Sequence, residues 1–79
     1  MIYRHPIWRD DDHLYTLAQE PAGGWCITMI PVERGLLGQG HIICPVGMQA
    51  KALAERYLAR WAVSCGLRRV YVSGGVVRL

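Results

Sequence analysis

The residues from which this chain could build acid–base, nucleophilic or metal chemistry are His5, His13 and His41, Cys26, Cys44 and Cys65, Ser64 and Ser73, and the run Asp10-Asp11-Asp12. Neither serine lies in a nucleophile-elbow motif. Successive residues do not share a face, so the three aspartates read as a solvated turn rather than a paired-carboxylate site. His41 and Cys44 stand three apart in a strand-like segment and point to opposite faces, which works against a metal site shared with His13 or Cys26. Gly35-x-x-Gly38-x-Gly40 leads into a strand and lacks the Lys-Ser/Thr of a phosphate-binding loop. The expectation is no catalytic residue, no metal, no cofactor and no enzymatic activity.

Charge is the more informative pattern. Nine Lys and Arg stand against six Asp and Glu, a net +3, and eight of the nine bases are arginine. Residues 1–40 carry a net −2 and residues 41–79 a net +5. Arginine offers a flat, weakly hydrated fork to carboxylates and phosphates, so this polarity suits electrostatic docking. Arg56, Arg60, Arg68 and Arg69 are the candidate partner-binding residues. Arg56 and Arg60 are one helical turn apart and project from the same side, whereas Arg68 and Arg69 point to opposite faces of a strand. Tyr71 or Trp25 could stack a base, but no aromatic pair of the RNA-binding type is legible and the net charge is modest. Direct binding of nucleic acid is not expected.

The three cysteines are an odd set without a C-x-x-C pair, and the N-terminus lacks the apolar core of a secretory signal. Reduced thiols and a cytoplasmic location are expected. Cys26 sits in an apolar run and reads as a small core residue. Cys65, just before Gly66 at a helix end, could be exposed and crosslink two copies through an intermolecular disulfide.

Several elements must position these groups. Residues 1–12 have no clean period and read as an irregular N-terminal arm. Residues 14–19 and 25–30 read as strands of an antiparallel hairpin around Pro21-Ala22-Gly23-Gly24. The second is apolar on both faces except at Thr28, which places it inside a sheet. Residues 41–44 form a third short strand, closed by Pro45. Ala50, Leu53, Ala54, Tyr57, Leu58, Trp61, Ala62 and Cys65 then fall at helical spacing, predicting a helix over about residues 48–65 that ends at Gly66. Residues 68–73 read as a fourth strand, and Gly74-Gly75 as either a hairpin turn or a bulge before residues 76–79.

A chain of 79 residues, 52% hydrophobic and 19% charged, is one domain with a marginal core. No apolar stretch approaches the ~20 residues that span a bilayer, so no membrane partner is expected. The predicted fold is α+β, an antiparallel sheet of three to five strands in βββαβ order with one amphipathic helix on one face. Trp8, Tyr15, Trp25, Leu36, Leu37 and Tyr71 exceed what one helix covers, so the other sheet face is expected to be open and to favour a homodimer.

The hairpin, third strand, helix and final strand resemble HicB-type antitoxins with their partial RNase H fold. Tyr15, Gly24-Trp25, Pro31 and the Ala-rich helix from Ala50 carry that resemblance, although the polar motif that leads into the family's helix is absent. In size, single-domain architecture, Arg-rich helix and lack of enzyme motifs the chain also resembles small phage and prophage anti-CRISPR proteins of type I, with type I-C as the specific expectation. That resemblance implies a non-enzymatic inhibitor that binds host Cascade subunits in the bacterial cytoplasm and prevents recognition of target DNA. The antitoxin resemblance implies instead a protein that neutralises a small RNase toxin. Neither family contributes a functional residue.

Overall fold

The computed structural model describes residues 6–21, 23–34, 40–45, 50–73 and 76–77. Among them the order is β1 (Ile7–Arg9), β2 (His13–Gln19), β3 (Trp25–Pro31), a 3₁₀ turn (Val32–Arg34), β4 (His41–Pro45), α1 (Lys51–Ser64), β5 (Arg68–Val70), β6 (Val72–Ser73) and β7 (Val76–Val77). One helix on one antiparallel sheet makes the fold α+β. The five-stranded sheet has the order β4-β3-β2-β1-β5, and every neighbouring pair is antiparallel. Four antiparallel steps leave β4 and β5 parallel at opposite edges, so their connection must cross the sheet, and α1 lies in that crossover.

β1 corrects the expectation of an irregular arm at residues 7–9. Three residues give no readable period, yet Trp8 pairs with Tyr15 on one side and Arg69 on the other. The ladder, not local propensity, makes this segment a strand. The expected fourth strand divides at Tyr71 into β5 and β6, and β6 pairs antiparallel with β7 in its own two-stranded ladder. That pairing is a hairpin and selects it over the bulge; residues 74–75 lie outside the described residues.

Alternation sorts the side chains. Leu17, Trp25 and Ile27 meet Ala54 and Leu58 of α1, with Trp8 and Trp61 packed at the margin. On the other face Ile7, Leu14, Ile30 and Val70 form a second buried cluster, and Thr16, Cys26 and Thr28 are buried on that same face. The open second face is therefore not observed. Trp8, Tyr15 and Trp25 all lie on the helix side, with Tyr15 and Trp25 buried, while Tyr71 is 76% exposed. Leu36 and Leu37 lie outside the described residues.

Helix α1 starts at Lys51 rather than near residue 48, after Ala50, which offers no side-chain cap. It ends as expected at Gly66, whose φ of 73° is left-handed. The Leu67 amide donates to the Ala62 carbonyl at 2.9 Å and the Gly66 amide to the Val63 carbonyl at 3.1 Å, which satisfies the orphan carbonyls of the last turn.

The predicted apolar stripe proves wider than its seat. At about 100° per residue it covers roughly half of the helix circumference, whereas a helix resting on a sheet buries an arc of about 100°. Ala54, Leu58 and Ala62 are fully buried, Trp61 is half-buried, and Leu53 at 50% and Tyr57 at 36% are exposed. Ala50 and Cys65 are exposed too. Leu58→Ala is expected to cost about 2–5 kcal/mol in urea unfolding, because a buried methylene cluster leaves a cavity. Leu53→Ala should stay within about 1 kcal/mol of wild type, as surface positions do. Equal losses at the two positions would reject this orientation of the helix.

Candidate functional site

Arg56 and Arg60 lie four residues apart on the exposed side of α1. On an ideal helix both point about 160° away from Leu58, the centre of the buried arc. Neither guanidinium enters a hydrogen bond or ion pair among the described residues. The only carboxylate of α1, Glu55, is held by Lys51 at 3.6 Å, four residues before it. Leu53, Arg56, Tyr57 and Arg60 together line a shallow hollow of about 190 Å³. A second, more open hollow lies between Ala59, Arg60, Val63 and Ser64, where Val63 is 68% exposed.

The other two candidate arginines do not join this face as free cations. Arg68 donates to Asp11 at 3.1 Å in an exposed pair, which holds its charge loosely because water screens it. Arg69 is fixed. Its guanidinium donates to the carbonyls of Ile7 at 2.9 Å and Val70 at 2.6 Å, and lies 5.8 Å from the Trp8 ring centre and 5.5 Å from that of Tyr71. Two carbonyls and two aromatic faces give Arg69 a structural role at the β1–β5 seam. Tyr71 is engaged there and is not a bare stacking platform.

The aspartate run forms the turn between β1 and β2, as expected, but its first member does more than face solvent. Asp10 Oδ1 accepts the backbone amides of Asp12 at 2.8 Å and His13 at 2.7 Å, and its Oδ2 accepts the Tyr15 hydroxyl at 2.7 Å. The Tyr15 ring in turn packs tilted against Trp61 at 5.5 Å. Asp10 thus connects the turn to the seat of the helix. The sequence carries a trace of this: an aspartate opening a turn, with a tyrosine five positions on.

Burial works against the Asp10 charge, but the hydrogen bonds from Tyr15, Asp12 and His13 and the neighbouring His13 ring outweigh it and hold the carboxyl below its ordinary value. Burial, then the hydrogen bond to Asp10, pushes the Tyr15 hydroxyl up to about 12.

Cys26 is buried, with its thiol pointing at the Ala18 carbonyl at 3.4 Å, and burial pushes that thiol up. Cys65 is exposed. Among the described residues no group of three or more His, Cys, Asp or Glu could hold a metal ion. His41 is exposed; the Cys44 side chain, His5, Gly35 and Gly38 lie outside what is described. Gly40 has a packing role that composition did not reveal. A Cβ there would run into Thr28 Oγ1 and come within 2.9 Å of Ile30 Cγ1, so only glycine lets the chain pass this close to β3.

No helix among the described residues is long and apolar enough to cross a membrane. Comparison with protein-family models, with curated proteins and with solved structures finds no match to this chain.

The Asp10–Tyr15 bond makes stability depend on pH at both extremes. A carboxyl depressed in the folded state stabilises fully above its unfolded value of about 4 and loses that contribution as pH falls through the folded value. A phenol raised in the folded state stabilises fully below its unfolded value and loses it as pH climbs from there to about 12. Tyr15→Phe should therefore show a shallower loss of stability in urea on both flanks. Wild-type slopes in that variant would dismiss the bond as a source of stability.

Proposed function

We propose that this protein is a non-enzymatic binding protein that docks on an acidic surface of its partner through the outward face of α1. The observation that carries the reading is the pair Arg56 and Arg60, exposed on one side of a well-anchored helix and without a carboxylate partner among the described residues. Guanidinium groups held in this way give bidentate, charge-assisted contacts at small entropic cost, because the helix has already fixed their spacing. The resemblance to small anti-CRISPR proteins supplies the target: the Cascade surveillance complex of a type I system, bound so that target DNA is not recognised. Arg68, paired with Asp11 on the sheet face away from α1, lies outside this surface, and Arg69 contributes by holding β1 and β5 in place.

The HicB-like reading is supported by the helix-on-sheet order and would use the other pole of the molecule. An RNase toxin holds a polyanion and must itself present basic surface, which the α1 face would repel. Its natural counterpart here is the acidic hollow lined by Asp11, Asp12, His13, Pro31, Val32 and Glu33.

Charge reversal separates the two. Arg56→Glu/Arg60→Glu, checked to be folded, should lose inhibition in a CRISPR interference or Cascade–DNA binding assay, while Asp11→Lys/Glu33→Lys should retain it. Full inhibition by the arginine double variant would reject the docking face. Absence of inhibition by wild type against type I systems, together with binding to a toxin that Asp11→Lys/Glu33→Lys abolishes, would establish the antitoxin instead.

We further propose a homodimer, resting on the exposed Cys65 at the end of α1 and not on an open sheet face, with that thiol able to form the crosslink between copies. Light scattering across a dilution series should give twice the monomer mass, and Cys65→Ser should remove only the part that survives denaturation without reductant. A monomer at high micromolar concentration would rule the dimer out.

A further inference from the structure

The exposed side of α1 has an order that a simple basic patch lacks. Leu53 and Tyr57 flank the two guanidiniums on one side, and Ala59 and Val63 flank them on the other. These positions recur at steps of three and four, so they form ridges running along the helix with hollows between them. Charge here sits in the middle of an apolar seam. A purely electrostatic surface would gain nothing from leaving Leu53 and Val63 exposed at 50% and 68%.

We infer that this seam receives an acidic amphipathic helix of the partner protein, its carboxylates between Arg56 and Arg60 and its apolar side chains in the two hollows. The inference rests on the docking-face reading above and names what docks there. Three arguments select this occupant. First, a second copy of the chain is a poor fit seam against seam, because the seam has no carboxylate and Glu55 is already engaged by Lys51 at 3.6 Å. Face-to-face pairing of two copies would set guanidinium against guanidinium. Second, α1 has satisfied its own backbone along the seam, so it offers an extended segment no main-chain partners; an occupant that satisfies its own backbone, a helix, meets no such cost. Third, acidic residues at i and i+4 on a partner helix repeat at about 6 Å along its axis, the same rise that separates Arg56 from Arg60. Ala59 and Ser64 keep the flank low enough for two helices to approach.

Nucleic acid would satisfy the guanidiniums but leave the apolar ridges without purpose. It would also bind with a steep dependence on salt, one counterion released for each phosphate neutralised.

The probe is a labelled peptide of about 20 residues, long enough to hold a helix alone, with Glu at i and i+4 flanked by Leu. Its controls are the same peptide interrupted by two prolines and a single-stranded oligonucleotide of equal charge. Fluorescence anisotropy should show binding of the helical peptide at least about tenfold tighter than either control, the scale of one lost anchor contact. Leu53→Asp and Val63→Asp should each weaken it about fivefold or more, and Arg60→Gln, which removes the charge without reversing it, by a similar factor. Circular dichroism and unfolding midpoints serve to exclude misfolding, with Leu53→Ser as the milder substitute.

Equal binding of the proline-interrupted peptide, or tighter and strongly salt-dependent binding of the oligonucleotide, would overturn the helix seam. So would complete loss of Cascade inhibition in Arg56→Glu/Arg60→Glu alongside full inhibition by Leu53→Asp and Val63→Asp, which would leave the basic docking face standing by itself. Selective helix binding by a protein with no effect on interference would uphold the seam and remove the Cascade target.

Discussion

Ala54, Leu58 and Ala62 on one side, and Leu17, Trp25 and Ile27 on the other, make the contact on which the rest of the molecule depends. The two alanines let the helix backbone come down close to the sheet, and Leu58 fills the space between them. Because α1 buries three residues at steps of four, its rotation about its own axis is set within a narrow arc. That rotation decides what faces outward. Turned by about one residue, or 100°, the same helix would bury Tyr57 and lift Leu58 into solvent. The seat is also tied to the opposite end of the sheet: Trp61 packs on Tyr15, and Tyr15 holds Asp10 in the β1–β2 turn.

Burial of both sheet faces is the second consequence. Among the described residues one helix covers a five-stranded sheet, yet Ile7, Leu14, Thr16 and Cys26 are almost wholly buried on the face away from it. β1 is central to this, since it puts Trp8 under Arg69 on the helix side and Ile7 beside Val70 on the other. The buried Trp8 indole nitrogen has no hydrogen-bond acceptor among the described residues, which is a cost the packed ring must offset.

The use of arginine follows from this architecture. Where β1 and β5 meet, Arg69 is consumed by carbonyls and rings, and Arg68 reaches the exposed Asp11. α1 carries one carboxylate, already engaged by Lys51, so its outward charge has no counterpart among the described residues. Acidic residues gather instead around the β1–β2 turn and the 3₁₀ segment, where Asp11, Asp12 and Glu33 are exposed. The result is two poles of opposite sign on different elements, and the two proposed readings of function differ in which pole does the binding.

Much of this was legible in the residues themselves. Alternating and apolar runs placed β2, β3 and β4, the three-and-four spacing placed α1, and Gly66 ended it, because these features act through neighbours a few residues away. The exposure of Arg56 and Arg60 also followed from their position opposite the apolar stripe. Tertiary structure decided the remainder. Ile7–Arg9 became a strand because partners near residues 15 and 69 pair with it on both sides, a condition no local pattern encodes. Arg69 became a structural clamp because β5 runs beside Trp8 and the Ile7 carbonyl, 62 positions away in the chain. Within an apolar stripe spanning half of α1, the sheet can touch only one arc. Residues such as Leu53 and Leu58, alike in type and both on the stripe, are told apart only by which of them the sheet reaches.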